Sequence, residues 1–395
     1  MSQQDPIVIV SAVRTPMGSF QGDFSNLAAH DLGGVAIRAA VERAGIAPEL
    51  VQEVIFGNVL MAGQGQAPAR QALIKGGLPK STGAVTLHKV CGSAMKAVMM
   101  AADMIKAGTA EVMVAGGMES MTNAPYLLKK GRGGYRLGHD KVYDHMMLDG
   151  LEDAYEEGRS MGTFGEDCAE KYGFTREKQD AFAMASVERA QAAIAAGAFK
   201  EEIAPVTVKD RKGERVVDTD EGPGKINPAK IPTLRPAFKK DGTITAAASS
   251  SINDGAAAMV LMTESKAKAL GLKPLARIVS YATHAQEPGW FTTAPVPASQ
   301  KALEKAGWKV EDVDLWEINE AFAVVPMALM ADLGVPHEKV NVNGGACALG
   351  HPIGASGARI MVTLIHALKA RGLKRGLATL CIGGGEGTAL TLELV

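Results

Sequence analysis

Short apolar runs alternate along the chain with stretches in which apolar residues recur at helical spacing. Near the start, the run IVIVSAVRTP leads into AIRAAVERAGIAPELVQEVIFGNV. The first segment predicts a buried strand, and the second predicts a helix that ends at Ala-Gly, an acidic turn and another strand. The same order returns far downstream in ARIVSYATHA and ASQKALEKAGWKVEDVDLWEINEA. The chain therefore contains a repeated strand–helix–strand unit.

A second pair of similar segments follows the first. These segments are CGSAMKAVMMAADMIKAGTAEVMVAGGMES and GASGARIMVTLIHALKARGLKRGLATLCIGGGEG. Because helices alternate with β-branched strands, the pattern predicts βαβ units and mostly parallel sheets. Because whole units recur, it predicts two similar α/β halves packed together. The helices that are apolar on most faces are expected to lie between the sheets.

The segment between the halves differs in composition. Residues 122–245 are rich in charge, Tyr and Pro, and contain an amphipathic helical pattern in REKQDAFAMASVERAQAAI. We interpret them as an inserted loop domain, since long loops in compact proteins are more often functional than idle. The expected organisation is an N-terminal half of residues 1–121, completed by about residues 246–270, and a C-terminal half of residues 271–395.

Composition and charge narrow the class of protein. The 395 residues carry a formal net charge of −1, and 47% of them are apolar. The sequence contains no run of Lys and Arg residues of the kind that binds nucleic acid or a membrane surface. The longest apolar runs are too short to span a bilayer, and the N-terminus lacks the features of a signal or transit peptide. We expect a cytoplasmic protein that binds neither nucleic acid nor membrane.

The four cysteines, at positions 91, 168, 347 and 381, show no CxxC spacing and no histidine at metal-ligand spacing. Disulfides are rare in a reducing compartment. Each cysteine is therefore either a small buried hydrophobe, which is the commoner case, or a reactive thiol. The sequence also lacks a Walker A motif and predicts no metal site.

Two candidate chemical groups precede predicted helices. Cys91, in HKVCGSAMKAVMM, lies at or beside a helix N-terminus, where the macrodipole and free N–H groups favour a thiolate and lower the pKa from about 8.5. A buried structural cysteine is an equal alternative. His351, in NGGACALGHPIGASGAR, precedes the second such helix. A lone histidine is more often structural than catalytic, and this loop lacks the lysine and spacing of a phosphate-binding loop.

Two further candidates lie at strand ends, where α/β folds place ligands. Cys381 ends an apolar strand in LATLCIGGGEG, although a structural thiol is the commoner role there. Asn319, in EINEAFA, is either a helix N-cap or an amide that positions a water or holds an oxyanion. Together with Cys91 and His351, these residues form a set suited to acyl transfer through a thiolate nucleophile and an imidazole base.

Seven motifs occur in the order and spacing of one known family: VCGSAMKA, GGMESMTNAPY, LRPAFKKDGT, SINDGAAAMVL, INEAFA, NVNGGACALGHPIGASGAR and CIGGGEG. On these motifs nearly the whole chain resembles the thiolase family, and most closely its acetyl-CoA C-acetyltransferases. The resemblance implies a five-layer αβαβα fold built from two duplicated βαβ-rich halves with an inserted loop domain. It also implies a reversible, ping-pong Claisen condensation of two acetyl-CoA molecules through a cysteine acyl-thioester.

The resemblance assigns a role to each candidate. Cys91 corresponds to the nucleophile that takes the acetyl group, and His351 to the base that activates it. Cys381 corresponds to the second acid/base, which removes a methyl proton from the incoming acetyl-CoA. Asn319 corresponds to the residue that holds a water in one oxyanion hole together with His351. The backbone N–H groups of Cys91 and Gly383 correspond to the other hole.

Substrate and assembly sites follow from the same resemblance. Ser250 corresponds to a serine that contacts the pantetheine of CoA, and Phe291 stands near the acyl pocket where Met is common. The expected apolar tunnel positions are Leu151, Met161, Ala246, Ala321 and Phe322. Residues 126–145 resemble a tetramerisation loop, which implies a homotetramer. CoA thioesters are the substrates, so we expect no cofactor and no metal.

Some positions depart from the usual pattern of the family. Ser160 replaces a common His, Lys225 stands near a common Arg that meets the CoA nucleotide, and Glu386 replaces an apolar residue. Cys347 replaces an aliphatic residue, and we expect it only to pack. Two alternatives stay open: a thiolase that degrades longer 3-oxoacyl-CoAs, and a non-catalytic acyl-CoA carrier. The carrier hypothesis predicts that at least one of Cys91, His351 and Cys381 is lost, and all three are present.

Overall fold

The computed structural model describes residues 5–210 and 213–395. Its strands are β1 (Ile7–Arg14), β2 (Gly18–Ser19), β3 (Glu53–Gly57), β4 (Gly83–Leu87), β5 (Val112–Ser120), β6 (Tyr126–Leu127), β7 (Tyr143–Asp144), β8 (Val206–Asp210), β9 (Gly213–Val217), β10 (Asn253–Thr263), β11 (Ala276–Ala285), β12 (Leu315–Ile318), β13 (Arg375–Ile382) and β14 (Glu386–Leu394). Its helices are α1 (Ala29–Ala44), α2 (Pro68–Lys75), α3 (Ser93–Lys106), α4 (Met161–Tyr172), α5 (Arg176–Ala195), α6 (Glu264–Ala269), α7 (Pro295–Ala306), α8 (Val324–Leu333), α9 (Ala346–Leu349) and α10 (Ser356–Arg371). Within these residues, no helix has both the length and the apolar character needed to cross a membrane.

Two sets of strands form the two halves. Strands β4, β3, β5, β10 and β1 lie side by side in the N-terminal half, and β11, β14, β13 and β12 do so in the C-terminal half. The sets join where β1 meets β11, which pair only at Val8 with Arg277 and at Ile9 with Ala276. Beyond this short junction, the two sheets diverge and enclose a layer of helices between them.

The central layer consists of α3 and α10. Their Ala, Ile, Leu, Met and Val side chains share one core with residues of β1, β10, β13 and β14. A Cβ atom at Gly357 would lie 2.6 Å from the backbone nitrogen of Met95, so only glycine permits this close approach of the two helices. The prediction of apolar helices between two sheets is confirmed.

The opposite faces of both sheets are covered by outer helices. In β10, Met259 and Leu261 belong to the central core, whereas Ala258 and Val260 pack with α1 and α2, as the alternation of a strand requires. On the other side of the molecule, α7 and α8 pack against β11–β14. The layers are therefore α1/α2, sheet, α3/α10, sheet and α7/α8, which is the five-layer arrangement that the resemblance implied.

The prediction of mostly parallel sheets is wrong. Pairing is parallel for β3 with β4, β3 with β5 and β12 with β13, but it is antiparallel at β1–β10, β10–β5, β1–β11, β11–β14 and β13–β14. The strand after each central helix has an antiparallel neighbour from later in the chain, which is β10 for β5 and β14 for β13. Between β13 and β14, a tight turn makes this reversal, with positive φ angles of 92° at Gly384 and 88° at Gly385. Alternation of helix and strand identifies the elements but not their neighbours.

The segment between β5 and β10 packs on both halves, since Val206, Val208 and Val217 of its β8–β9 hairpin belong to the core of the N-terminal half and its helices pack on the C-terminal half. Helix α4 contacts α8, and α5 contacts α9. The amphipathic helix predicted in this segment is α5 (Arg176–Ala195). Strands β6 and β7 form one short hairpin, and β8 and β9 form another. The domain limits drawn from the sequence stay predictions.

Candidate active site

A cavity of about 330 Å³ opens between the two halves. The predicted site residues in its lining are Cys91, Leu151, Met161, Ser250, Phe291, Ala321, Phe322, His351, Cys381 and Gly383. Two other predicted residues lie outside that lining. Asn319 is fully buried, and Ala246 is exposed on the surface, so it does not form part of this wall. Most of the side chains chosen from the sequence therefore meet in one cavity.

Cys91 lies on a tight elbow directly before α3. It precedes the first helical residue, Ser93, by two positions and is partly exposed, which confirms its predicted place beside a helix N-terminus. Val90 has a positive φ of 45°, a strained conformation for a β-branched residue. The hydroxyl of Ser93 secures the elbow, because it accepts from Lys89 N–H at 2.8 Å and donates to Val90 O at 2.6 Å.

His351 reaches the nucleophile from the C-terminal half. Its Nε2 lies 3.3 Å from Cys91 Sγ, and its Nδ1 is hydrogen-bonded to the hydroxyl of Ser356. That hydroxyl donates its own proton to Pro352 O at 2.9 Å, so it accepts from Nδ1–H. The Nε2 lone pair therefore faces the Cys91 thiol, as a general base requires. The sequence analysis missed Ser356, although a hydroxyl at the start of the following helix was a visible signal.

The electrostatics of this pair differ from the expectation. Burial raises the pKa of Cys91 to about 12, although the backbone N–H groups of Gly383 and of Cys91 itself oppose the rise. Burial, helped by the positive charge of Arg359, lowers the pKa of His351 to about 3. The predicted lowering of the Cys91 pKa is wrong, because desolvation of a thiolate outweighs these N–H groups. At rest, a neutral thiol faces a neutral imidazole.

The loop that carries His351 is anchored to the N-terminal half by buried polar side chains. Glu119 Oε2 accepts from Gly354 N–H at 2.9 Å and from Val59 N–H at 3.0 Å. Asn253 Oδ1 accepts from His351 N–H at 3.2 Å. Burial raises the pKa of the Glu119 carboxyl to about 7. Because Gly354 is three residues from His351, Glu119 helps to set the distance between base and nucleophile, and the sequence analysis did not identify it.

Cys381 and Gly383 approach Cys91 from the end of β13. Cys381 is 1% exposed, and burial raises the pKa of its thiol well above the usual value, with a further rise from neighbouring Cys91. A Cβ atom at Gly92 would lie 2.4 Å from Ile382 Cδ1, so glycine allows the Cys91 elbow to pack directly on this strand. The backbone N–H groups of Gly383 and Cys91 act to lower the pKa of the Cys91 thiol, which indicates that both lie close to its sulfur.

Asn319 follows β12 and is not a helix N-cap, because the residue before α8 is Ala323. Its backbone N–H donates to Thr379 O at 3.0 Å. Among the residues that the structure describes, neither polar atom of its buried side chain has a hydrogen-bond partner. A buried amide without a partner has a strong tendency to bind a water or a ligand. This favours the oxyanion role over the capping role.

The neighbouring Glu320 holds the loops behind the site together. Its carboxylate accepts from Ser186 Oγ at 2.7 Å, from Asn341 Nδ2 at 2.7 Å and from Cys347 N–H at 2.9 Å. Cys347 is 4% exposed and packs in the core of the C-terminal half. The described cavity lining does not include Cys347, so its location agrees with the expected packing role.

Two aromatic side chains, Phe291 and Phe322, contribute to the lining of the cavity. The rings of Phe291 and Phe164 pack edge to face with centroids 6.0 Å apart, and Phe322 packs similarly on Phe238 at 5.7 Å. The segment Met147–Leu151 also contributes to the lining and forms a π-helical turn, a geometry often found at functional sites. A mainly apolar cavity that contains thiols and an imidazole suits the reacting end of an acyl thioester.

Lys225, considered above for a contact with the CoA nucleotide, is ion-paired with Glu221. It does not contribute to the described cavity lining. No group of three or more His, Cys, Asp or Glu side chains is arranged to hold a metal ion in residues 5–210 and 213–395. The lining of the cavity contains two thiols, those of Cys91 and Cys381, and the imidazole of His351.

Comparison with known proteins identifies the family. Residues 7–265 match the model of the thiolase N-terminal domain, and residues 272–394 match that of the thiolase C-terminal domain. The chain belongs to the thiolase family. The ordered motifs, the five layers and the cysteine–histidine pair between the halves all agree with that membership.

Curated thiolases are similar to this chain over nearly its whole length. An acetyl-CoA acetyltransferase of Escherichia coli (strain K12) is 56% identical, and one of Pseudomonas aeruginosa is 54% identical, with 98% of each chain covered in both cases. Among solved structures, an acetyl-CoA acetyltransferase of Bacillus anthracis matches with a TM-score of 0.97 and 44% identity over all of both chains. An Ascaris suum thiolase in complex with coenzyme A matches with a TM-score of 0.93 and 44% identity over 99% of this chain and 100% of that one.

Proposed function

We propose that this chain is an acetyl-CoA C-acetyltransferase, which converts two acetyl-CoA molecules into acetoacetyl-CoA and CoA in a reversible Claisen condensation. The observation that carries the proposal is the 3.3 Å contact between His351 Nε2 and Cys91 Sγ in a cavity that Cys381 also lines. The names of the similar thiolases support the same reaction. Each of the two half-reactions uses a different part of this site.

In the first half-reaction, Cys91 Sγ attacks the thioester carbonyl of acetyl-CoA while His351 Nε2 takes the thiol proton. The carbonyl oxygen becomes an oxyanion, which the backbone N–H groups of Cys91 and Gly383 stabilise. As the bond from carbon to the CoA sulfur breaks, His351 gives its proton to the departing thiolate. The acetyl group stays on Cys91 as a thioester and remains activated for the next step.

In the second half-reaction, Cys381 transfers its thiol proton to His351 Nε2 in the same cavity, and the resulting thiolate removes a methyl proton from another acetyl-CoA. The burial that raises the pKa of this thiol makes its thiolate a strong base. His351 and the unpartnered amide of Asn319, acting through a water, stabilise the enolate oxygen. The enolate carbon attacks the acetyl group, acetoacetyl-CoA forms, and Cys91 leaves as a thiolate. Cys381 keeps the methyl proton as a thiol and the His351 imidazolium protonates the Cys91 thiolate, so Cys91, His351 and Cys381 all regain their starting states.

Mass spectrometry of the intact protein tests the acyl-enzyme. After mixing with acetyl-CoA, we expect one acetyl group on a peptide that contains Cys91. The Cys91→Ala variant should not be acetylated, and Cys347→Ala, which removes a buried thiol outside the cavity, should behave like the parent. An unmodified Cys91 in reduced, folded protein would contradict the proposed mechanism.

We propose that the acyl pocket favours the short acetoacetyl group. Phe291 is 3% exposed and its ring is held in the wall by Phe164, which supports a closed end to the cavity. Thiolysis rates measured for 3-oxoacyl-CoA substrates of increasing length provide the test. We expect the rate to be highest for acetoacetyl-CoA and to fall with each added unit. Equal or higher rates for longer chains would instead assign the protein to the broader degradative thiolases.

We also propose a homotetrameric, cytoplasmic protein. The loop of residues 126–145 exposes several apolar side chains, namely Tyr126, Leu128, Leu137 and Val142, with Leu137 fully exposed. Clusters of this kind usually mark a protein interface. Light scattering after size exclusion should report four subunits, and Leu137→Asp should lower that mass. A monomer for both proteins would rule out the assembly.

A further inference from the structure

An ion pair links the two loops that meet at the nucleophile. Lys89 Nζ contacts the carboxylate of Glu386, with 22% and 33% of the two side chains exposed. Lys89 belongs to the elbow that presents Cys91, and Glu386 begins β14 directly after the glycine turn that presents Gly383. The pair therefore spans from one N–H donor loop to the other.

The Cys91 elbow needs support of this kind. The positive φ of Val90 places a β-branched residue in a strained conformation, and such a conformation persists only when surrounding contacts enforce it. Gly92 N–H donates to Lys89 O at 3.0 Å, so Lys89 is part of the turn itself. A contact that fixes the Lys89 side chain therefore restrains a residue of the same turn as Cys91.

The duplication of the chain gives Glu386 a counterpart. When VMVAGGMES is aligned with TLCIGGGEG, Glu386 falls opposite Glu119. Glu119 follows the glycine pair of its own half and reaches across to Gly354, in the loop before the central helix of the other half. Glu386 follows the glycine turn of its half and reaches across to Lys89, in the loop before the other central helix. Each half thus holds the catalytic loop of its neighbour through an equivalent carboxylate.

We propose that the Lys89–Glu386 ion pair is a positioning device, which holds the Cys91 elbow against the Gly383 turn and keeps their two backbone N–H groups aimed at the reacting sulfur and its acyl group. The identity of that acyl group rests on the proposed function, but the geometry of the two loops does not. Because the pair is partly exposed, its contribution is expected to be modest.

The test uses variants of both partners. Lys89→Gln and Glu386→Gln each break the pair, their double variant removes it, and Lys89→Glu with Glu386→Lys reverses it. Lys266→Gln is the matched control, because Lys266 forms an ion pair with Glu111 at 2.6 Å on another part of the surface. For each protein, we would measure the acetylation rate of Cys91, kcat, KM, the melting temperature and the rate of Cys91 alkylation by iodoacetamide at a fixed pH.

We expect each single variant to slow acetylation and alkylation by about three- to tenfold, with KM within about twofold of the parent. The double variant should be no slower than either single variant, and the reversed pair should recover most of the rate. A simple field effect predicts a different result. Loss of a positive charge would disfavour the Cys91 thiolate, whereas loss of a negative charge would favour it, so the two single variants would change in opposite directions.

Opposite changes would therefore overturn the proposal. So would parental rates in both single variants, multiplicative losses in the double variant, or a raised KM with unchanged kcat. A lowered melting temperature with unchanged rates would show that the pair has a purely structural role, and this result would also overturn the proposal. If the parent protein is not acetylated by acetyl-CoA, the proposed function fails, and the alkylation rates still decide whether the ion pair positions Cys91.

Discussion

The tautomer of His351 depends on one buried hydroxyl, and its removal should slow the first half-reaction. Ser356 is fully buried, and its hydroxyl accepts from Nδ1–H of His351 while it donates to Pro352 O. In Ser356→Ala, Nδ1–H has no acceptor from this side chain. The imidazole is then no longer held in the form whose Nε2 lone pair faces Cys91.

The size of the effect follows from how the charge develops. In the resting site, the hydrogen bond from His351 Nδ1–H to the Ser356 hydroxyl joins neutral groups and contributes about 1 kcal/mol. In the transition state His351 becomes an imidazolium, and a hydrogen bond from a charged donor contributes about 1.5–3 kcal/mol. The difference of about 0.5–2 kcal/mol corresponds to roughly 2- to 30-fold in rate. Population of the unreactive tautomer adds about a factor of two, which gives roughly 4- to 60-fold in total.

Rapid-quench measurement of Cys91 acetylation, with acetyl-CoA in excess, measures this step directly. Ser299→Ala is the control, since Ser299 is equally buried in α7 and its hydroxyl has no hydrogen-bond partner among the described residues. We expect the control to acetylate at the parental rate and Ser356→Ala to be slower with a similar melting temperature. Folded Ser356→Ala within twofold of the parent would refute the reasoning, and equal slowing of both variants would assign the effect to general packing.

Three further predictions concern the other groups of the site. Cys381→Ala should still form the acetyl-enzyme yet lose about 100-fold or more in condensation, because only the carbon acid needs this base; an equal loss in both steps would argue against two separate proton carriers. Alkylation of Cys91 should keep accelerating with pH and show no plateau below about pH 10, because its pKa is raised to about 12; a plateau near neutral pH would indicate a resting thiolate–imidazolium pair. For Glu119, whose pKa rises from 4.5 to about 7 on burial, the folded protein binds the extra proton, so this group's stabilisation is present below pH 4.5 and is lost as the pH rises through 7. Between pH 4.5 and pH 7, the free energy of unfolding of the parent should therefore fall by about 3 kcal/mol relative to that of Glu119→Gln. Denaturant titrations that show no change with pH in the difference between the two proteins would contradict the burial argument.

The layered fold was predictable because it is encoded locally and twice. Helices α1 and α7 both end at a glycine in the left-handed region, Gly45 and Gly307 respectively. Each helix is followed by an acidic turn and a strand. Recurrence of such units identifies two halves without any knowledge of their contacts. Helices that are apolar on most faces, such as α3 and α10, indicate burial on more than one side and hence the central layer.

Strand direction and the supporting side chains were not predictable in the same way. The bond from Gly354 to Glu119 joins residues 235 positions apart, and the contact of His351 with Cys91 joins residues 260 apart. A single sequence does not record such pairs, because no local periodicity depends on them. The pKa of Cys91 depends on the depth of the cavity as well as on the helix that begins beside it, so the local argument gave the wrong sign.

The duplication also explains why the site lies between the halves. In the aligned repeats, Ser93 at the start of α3 falls opposite Ser356 at the start of α10, and each hydroxyl donates to a carbonyl of the turn before its helix. The two serines differ in what they accept, which is the N–H of Lys89 for Ser93 and the imidazole of His351 for Ser356. Because α3 and α10 share the central layer, both turns face one cavity. A repeated turn thus presents the nucleophile in one half and orients the base in the other, and the chemistry depends on positions at which the two repeats differ.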